Sequence, residues 1–546
     1  MGQGDATGLD GAAPAPAVTP PVTDAPRDQE RPGLAPYEPV AVLDMGASAI
    51  RLAIAEIVPG RRPRLIEEAS KGVLLGRDTF SQGAIRAQTL DAVISAVAGF
   101  RRIMDGHRVQ HVRAAATSAV REARNGDMFL DRLQARTGVA FEIIDEAEES
   151  RLVFLAVRDA LGRHAAFRAA RAALVEVGGG STGLTLLRRG EPTRSGVYAL
   201  GSVRVRQQLD LRRHSPEIQT ALLRRYVANI IDEIRLEIPL NRITHVIAVG
   251  GDVRFAASQL HDSDDEGSRE IPRAAFLAFC DEVERMDEDA LAERFRLSAV
   301  EAETLAPSLV VYRALVSETA ARTVVVTDAS LRAGMLLDLA DPGGRSSTED
   351  FERQVLGSAE ALGQRYRLDL PHGLHVMHLA TRLFDQLSDE HGLGDRARLL
   401  LKVAALLHDI GIYVSLRAHH KHSQYILAAS QIFGLSNDET AVVSNVARYH
   451  RRGMPQNSHV PYVALDRQDR LLVNKLAAIL RVANALDAEH AQKVRDVRIV
   501  RRASTWLLEL EGTGDLTMER LAATSRADMF IETFGRQLIV QPAGTV

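Results

Sequence analysis

The chain has 546 residues, of which 46% are apolar and 25% charged, the mix of soluble globular proteins, and its length predicts about three or four domains. The 67 basic and 71 acidic side chains leave a net charge of −4, which excludes a global pull towards nucleic acid or membrane and makes any polyanion site local. Cys280 is the single cysteine, which excludes an internal disulfide framework and fits a reducing, cytoplasmic setting.

Lysine stands only at positions 71, 402, 421, 475 and 493. Arginine is thus the default cation, and no arginine is marked out for phosphate by its type alone. No apolar run reaches about 18 residues, so no transmembrane helix is expected. The N-terminus lacks the basic-then-apolar pattern of a signal peptide.

Residues 1–38 are rich in Ala, Pro, Gly and Asp, as in GAAPAPAVTPPVTDAP, and are predicted to be a disordered tail. From Pro39 the pattern changes. PVAVLDMGASAIRLAIAEIV reads as strand, tight turn, strand, and DAVISAVAGFRRIMDGH has helical spacing. HVRAAATSAVREARN and FEIIDEAEESRLVFLAV each read as a strand running into a helix, the second with carboxylates at the junction. This alternation predicts an α/β domain over 39–170. RAALVEVGGGSTGLTLLRRGE opens a second α/β unit over 171–345, and DPGGRSSTED at 341–350 has linker composition. A helical domain is predicted over 350–495. The last segment, 496–546, returns to strands around one helix.

LDMGASAIRLAI and VEVGGGSTGLTL can be laid over each other. Asp44 stands two residues before Gly46, and Glu176 two before Gly178, an offset of 132 residues; Ser48 and Ser181 follow among the small residues. Glycine lets backbone N–H groups approach a phosphate closely, and hydroxyls add donors. An acid ending each strand suits a divalent cation held against that phosphate. Either turn alone reads as well as an ordinary glycine hairpin. One in each half of an α/β region predicts a two-lobed phosphate-binding cleft.

LDMGASAIRL (43–52), AATSAVREARN (115–125), EIIDEAEESRL (142–152), VEVGGGSTGL (175–184), ALGSVRV (199–205) and VGGDVR (249–254) together resemble the exopolyphosphatase/guanosine pentaphosphate phosphohydrolase (Ppx/GppA) family, in the family's order. HGLHVMHLA, LLHDIG and HHKHSQYIL resemble its HD-type domain. The resemblance implies two actin-like (ribonuclease H-like, ASKHA) α/β lobes, an α-helical HD-like domain and a small α/β C-terminal domain. It also implies a Mg²⁺-dependent phosphohydrolase that releases terminal phosphate from inorganic polyphosphate, guanosine pentaphosphate or both. A homodimer is implied, with no nucleic-acid or membrane partner.

In the resembled family the second Glu of an EEARL-like motif activates water, a role that falls here on Glu149. Crowded carboxylates and burial raise a carboxyl towards a useful base; the plainer reading of Glu149 is a solvated helix start. The resemblance places the metal on Asp44 and Glu176. Phosphate contacts fall on Ser48, Arg51, Gly179, Gly180, Ser181, Ser202 and Arg121, the last read almost equally well as a surface ion pair. Three departures stand out. The family's DIGGGSTE begins with Asp where this chain has Glu176, and ends with Glu where it has Gly183; the first turn's Asn is Ala47 or Ala49. They open a second reading, a weakly active or non-catalytic sensor binding guanosine tetraphosphate, guanosine pentaphosphate or polyphosphate.

The HD-like residues are His372, His408 and Asp409. Asn484 stands where a later Asp is expected, with Asp487 one turn further on, so buried His–Asp pairing without a metal is expected. His419, His420, Lys421, His422, Arg451 and Arg452, with Arg448 and His450, suit either a polyanion channel or a solvated basic face.

Overall fold

The structure is a computed structural model and describes residues 38–58, 61–209, 216–260, 267–341, 345–451, 453–502 and 505–543. The tail expected over 1–38 lies outside the described residues, Glu38 excepted.

Strands β1 (Pro39–Met45), β2 (Ala49–Glu56), β3 (Arg64–Gly72), β4 (His111–Ala116) and β5 (Glu142–Ile143) form the first sheet in the order β3-β2-β1-β4-β5. The continuous apolar run of β1, Val40 to Leu43, is fully buried, as a central strand covered on both faces requires. The second sheet holds β6 (Ala172–Val177), β7 (Thr182–Arg188), β8 (Glu191–Tyr198), β9 (His245–Val249), β10 (Ser268–Pro272) and β11 (Thr323–Thr327). Its order β8-β7-β6-β9-β11 repeats the plan of the first, with β10 added at the edge. In each sheet an antiparallel three-strand meander is joined by parallel strands that arrive through helical crossovers.

The helix Leu331–Ala340 departs from the expected boundary at 345. It follows β11 in sequence but packs on the first lobe, against the helix Glu146–Leu161. A Cβ at Gly334 would overlap the carbonyl of Leu152, so the two backbones touch at the crossing. Asp338 accepts hydrogen bonds from Arg113 (2.8 Å) and Arg151 (3.0 Å), and both guanidiniums also reach Glu148. The first lobe is thus completed by a segment from beyond the second. The predicted linker at 341–350 is also shorter than its composition suggests, because the helix Arg345–Arg365 begins within it. Phe351 on that helix packs against Phe433.

The helices Leu370–Gln386, Asp395–Leu407, Asn437–Arg448 and Arg467–Ala485 share one buried core with a three-stranded sheet, β12 (Val494–Arg501), β13 (Thr505–Gly512) and β14 (Gln537–Pro542). Trp506, Leu508 and Phe530 lie in the same cluster as Leu400, Val443 and Leu480. Residues 496–546 are therefore not an independent domain, since their apolar side is the far wall of the helical core. Among the described residues no helix is long and apolar enough to cross a membrane.

Candidate active site

Asp44 and Glu176 are next to last on β1 and β6. Across each hairpin, Asp44 pairs with Arg51 and Glu176 with Gly183. Gly46 N–H donates to the Ala49 carbonyl at 3.0 Å, and Gly178 N–H to the Ser181 carbonyl at 2.9 Å. The two turns are closed by the same hydrogen bond 132 residues apart. This register matches Ala49 with Ser181 and Ser48 with Gly180, one residue off an overlay of the two serines.

Both turns open on one cavity of about 630 Å³. Its wall includes Asp44, Glu149 and Glu176, together with the predicted Ser48, Arg51, Gly179, Gly180, Ser181 and Ser202. Glu149 enters from the first turn of the helix Glu146–Leu161, whose N-terminus is capped by Asp145 accepting from Glu148 N–H at 2.8 Å.

Two glycines of the triplet have a packing reason as well as their place on the cavity wall. A Cβ at Gly179 would stand 2.9 Å from the Cβ of Ala47, and one at Gly180 would overlap Ser118 Oγ and approach Phe80 Cζ to 2.9 Å. Side chains are missing there because the second turn seats against the first lobe. The carbonyl of Gly178 accepts from Ser202 N–H and that of Gly179 from Val203 N–H, both at 3.0 Å. The loop is held from below by the start of the next helix. Gly178 alone has an uncrowded Cβ position, at 3.4 Å from the Ser181 carbonyl.

The cavity wall sets six carboxylates, Asp44, Glu146, Glu149, Glu176, Asp252 and Glu301, against Arg51, Arg254, Arg332 and Lys71. Burial pushes Glu149 up to about 7, against the pull of Arg121 and with help from the charges of Asp44 and Glu146. Burial and the charges of Glu149 and Asp44 push Glu176 up to about 8, against Arg254. Arg51 and Arg332 each stand 3.7 Å from Asp44. Burial, with Arg332 and Arg51 nearby, pulls Arg254 below the ordinary arginine value, opposed by Asp328.

Arg254 and Arg332 were not legible as site residues. Arg254 ends VGGDVR, where the glycines carry the pattern, and Arg332 reaches the cavity only because its helix returns to the first lobe. Arg121 was expected on phosphate, but it is absent from the cavity wall. Its guanidinium donates to the Ile144 carbonyl at 2.7 Å and lies 3.8 Å from Glu149, beside the helix start.

A model of the Ppx/GppA phosphatase family matches residues 53–342, and one of Ppx/GppA phosphatase domain III matches residues 356–525. The chain belongs to the Ppx/GppA phosphatase family. It is 27% identical to exopolyphosphatase 1 of Mycobacterium leprae (strain TN) over 317 residues, which span 55% of this chain and 89% of that protein. It is 23% identical to the guanosine-5'-triphosphate,3'-diphosphate pyrophosphatase of Vibrio vulnificus (strain YJ016) over 454 residues, 81% of this chain and 86% of that one. A solved exopolyphosphatase from Cytophaga hutchinsonii ATCC 33406 aligns with TM-score 0.51 at 22% identity, covering 56% of this chain and 98% of that one. That likeness supports the two-lobed actin-like fold.

Within this Ppx/GppA chain, Gly183 faces Glu176 across the hairpin. A Cβ there would lie 4.0 Å from that of Glu176 with nothing nearer, so the position is open. An acid in it would set a second carboxylate beside one already pushed up to about 8.

The residues expected on a polyanion channel lie in the helical region, away from the cleft wall. His419 is not on an open wall; it is buried, with Nε2 3.1 Å from Asp409 Oδ1. His420 and His422 are half-buried and Lys421 and Arg451 exposed, and none of them lines the cavity. Arg452 lies outside the described residues. The groove adjoining the cleft at Glu146 and Ser150 is walled instead by residues 430–438 and Thr440. His372, His408 and Asp409 do meet, and Asp487 joins them by accepting from His372 Nδ1 at 2.8 Å.

Proposed function

We propose that the chain is a phosphohydrolase that removes the terminal phosphate from inorganic polyphosphate or guanosine pentaphosphate in the cleft between the lobes, with Glu149 as the base. The observation that carries this reading is the raised Glu149 carboxyl, facing matched small-residue turns and the Arg51–Arg254–Arg332 group across one cavity. The relatives named as an exopolyphosphatase and as a guanosine-5'-triphosphate,3'-diphosphate pyrophosphatase supply the two substrate classes.

A carboxyl with a pKa of about 7 is ionised in half the molecules at neutral pH and is matched to proton transfer there. As water oxygen attacks the terminal phosphorus, Glu149 takes a water proton. The bridging P–O bond breaks, and the leaving phosphate oxygen keeps the electron pair. The arginines bind the equatorial phosphoryl oxygens, where charge accumulates. Asp44, Glu149 and Glu176 present hard oxygen donors whose mutual repulsion a divalent cation relieves, and this donor set fits Mg²⁺ on Asp44 and Glu176. Bound there, Mg²⁺ would neutralise phosphoryl charge. The same reading takes the helical region as HD-like, supported by the meeting of His372, His408 and Asp409.

The test is phosphate release from each substrate by the purified chain with Mg²⁺. Glu149→Gln is expected to abolish it and His408→Ala to leave it; release from neither substrate by the parent chain would remove the proposal. The vacant side of Glu176 at Gly183 favours one alternative, a sensor for the same anions. Tight binding of either anion without turnover would select it.

A further inference from the structure

The cations that lie away from the cleft share a surface with exposed apolar side chains. Residues 412–417, Ile-Tyr-Val-Ser-Leu-Arg, are exposed in succession. A segment lying flat on a protein buries every second or third side chain, so six exposed in a row mark a turn that projects from the surface. Val414 is 58% and Leu416 73% exposed. Three aliphatic side chains and Tyr413 thus meet water at this tip, an arrangement that marks a contact site.

The turn runs directly into the helix His419–Ala428 and packs along one flank of it. A Cβ at Gly411 would overlap the His419 carbonyl and the Ser423 backbone nitrogen. On the other flank Arg448 donates to the Gln424 side-chain carbonyl at 2.7 Å, which brings up the C-terminal end of the helix Asn437–Arg448. At about 100° per residue, Lys421, Tyr425 and Ala428 fall between these flanks, and all three are exposed. Burial and the charges of His419, Arg448, Arg451 and Lys421 hold His420 down to about 4, so three cations of this surface gather round one ring. Burial and the charges of Arg448 and Lys421 also lower His459, whose Nδ1 lies 2.8 Å from the Tyr449 hydroxyl. Val460, next in the chain, is 77% exposed. The face is cationic at its centre and apolar at both ends.

Its charge is one-sided. From Ile410 to Leu465 the only acids are Asp438 and Glu439. They begin the helix that Arg448 ends, roughly 13–15 Å away at 1.5 Å per residue, and Glu439 is paired with Arg396. Elsewhere in the helical region arginines are neutralised locally, Arg382 by Asp496 and Arg398 by Asp385. Among the described residues Arg417, Lys421, Arg448 and Arg451 have no carboxylate within 4.0 Å.

Unpaired cations attract an anionic partner, and exposed aliphatic side chains an apolar one. A phosphate chain or a nucleic acid meets the first need alone, because it stacks on rings and gains nothing from Val414, Leu416 or Val460. A partner helix lies in a groove, not over a projecting turn. An anionic bilayer meets both needs: its headgroups attract the cations, and its interface takes up the apolar tip.

We propose that the 412–417 turn, the Lys421–Tyr425 stripe, Arg448, Arg451 and Val460 dock the chain on an anionic lipid bilayer. The family resemblance implies no such partner. Docking of this kind requires no spanning helix, and among the described residues none is long and apolar enough to be one.

The test is sedimentation of the full chain with vesicles of phosphatidylcholine, alone or mixed with phosphatidylglycerol. Binding to the mixed vesicles only, weakened by salt, is expected. Leu416→Asp should lower the partition coefficient by roughly tenfold or more. Lys421→Gln should lower it about fivefold, the effect of one cation at an anionic surface. Both variants should melt with the parent chain. No binding by the parent, or equal binding to the two vesicle types, would overturn the proposal. So would binding that Lys421→Gln weakens and Leu416→Asp leaves unchanged, the pattern of a polyanion site, or a parent dimer that Leu416→Asp dissociates, the pattern of an interface between copies. If a variant fails to fold, hydrogen exchange of the parent decides: amides of 412–425 should slow on mixed vesicles while those of β1 and β6 do not, and unchanged exchange at 412–425 would overturn the assignment.

Discussion

Replacing Gly179 by alanine tests whether the triplet is shaped by the ligand or by the first lobe. The new Cβ would stand 2.9 Å from the Ala47 Cβ and 3.3 Å from both Ser48 N and Val203 Cγ2. Ala47 is 3% exposed and cannot swing away, so the turn must shift, at a cost of about 1–3 kcal/mol for an added carbon in a packed site. Ala47→Gly removes the nearest obstacle and by itself costs roughly 0.5–1 kcal/mol in backbone freedom. The double variant should therefore be more stable than Gly179→Ala alone, with a favourable coupling on the order of 1–2 kcal/mol between the two sites. The single tryptophan, Trp506, lies in the helical core and does not report on the lobes. Hydrogen exchange of the β1 and β6 amides is the suitable assay, because it reads local opening free energies. Suppose Gly179→Ala exchanges at the parent rate, loses phosphate release, and regains nothing from Ala47→Gly. The glycine would then serve the phosphate, and the packing argument would be wrong.

Arg121→Gln removes the positive charge that holds Glu149 down. The acidic limb of the pH–rate profile should move to higher pH, with activity at neutral pH falling several-fold and recovering above it; an unmoved limb would show that Arg121 does not tune the base. Glu176 binds a proton more tightly folded than unfolded, since its pKa rises from 4.5 to about 8. In chelator, melting temperature should thus fall as pH rises from about 4.5 to about 8, and Glu176→Gln should flatten that slope. Arg254→Gln should raise KM for polyphosphate by roughly tenfold or more, the loss of about 1.5–3 kcal/mol for a charge-assisted contact; an unchanged KM would take Arg254 out of the anion site. Gly334→Ala, forced into the Leu152 carbonyl, should destabilise the first lobe by about 3 kcal/mol or more, seen as faster exchange in the helix Glu146–Leu161.

Local patterns were sufficient for the two lobes and for the acids at the two strand ends, Asp44 and Glu176, whereas the role of Glu149 came only with the family resemblance. The apolar run ending at Asp44, its counterpart ending at Glu176, and the acid cluster at the start of a helix each declare a strand end or helix cap within a dozen residues. Short-range steric and hydrogen-bonding rules act over that distance, which is why the matched turns carry the same pattern 132 residues apart. Periodicity likewise gave the helical region. What it could not give is which separate segments share a space. The burial that lifts Glu149, the return of the helix Leu331–Ala340 that brings Arg332 to Asp44, and the joining of His419 and His450 to Asp409 all depend on packing between distant segments. Even the reason for Gly179 and Gly180 came from across the lobe boundary: a missing side chain records that something lies close, and only the folded chain shows that the neighbour is Ala47 and Ser118.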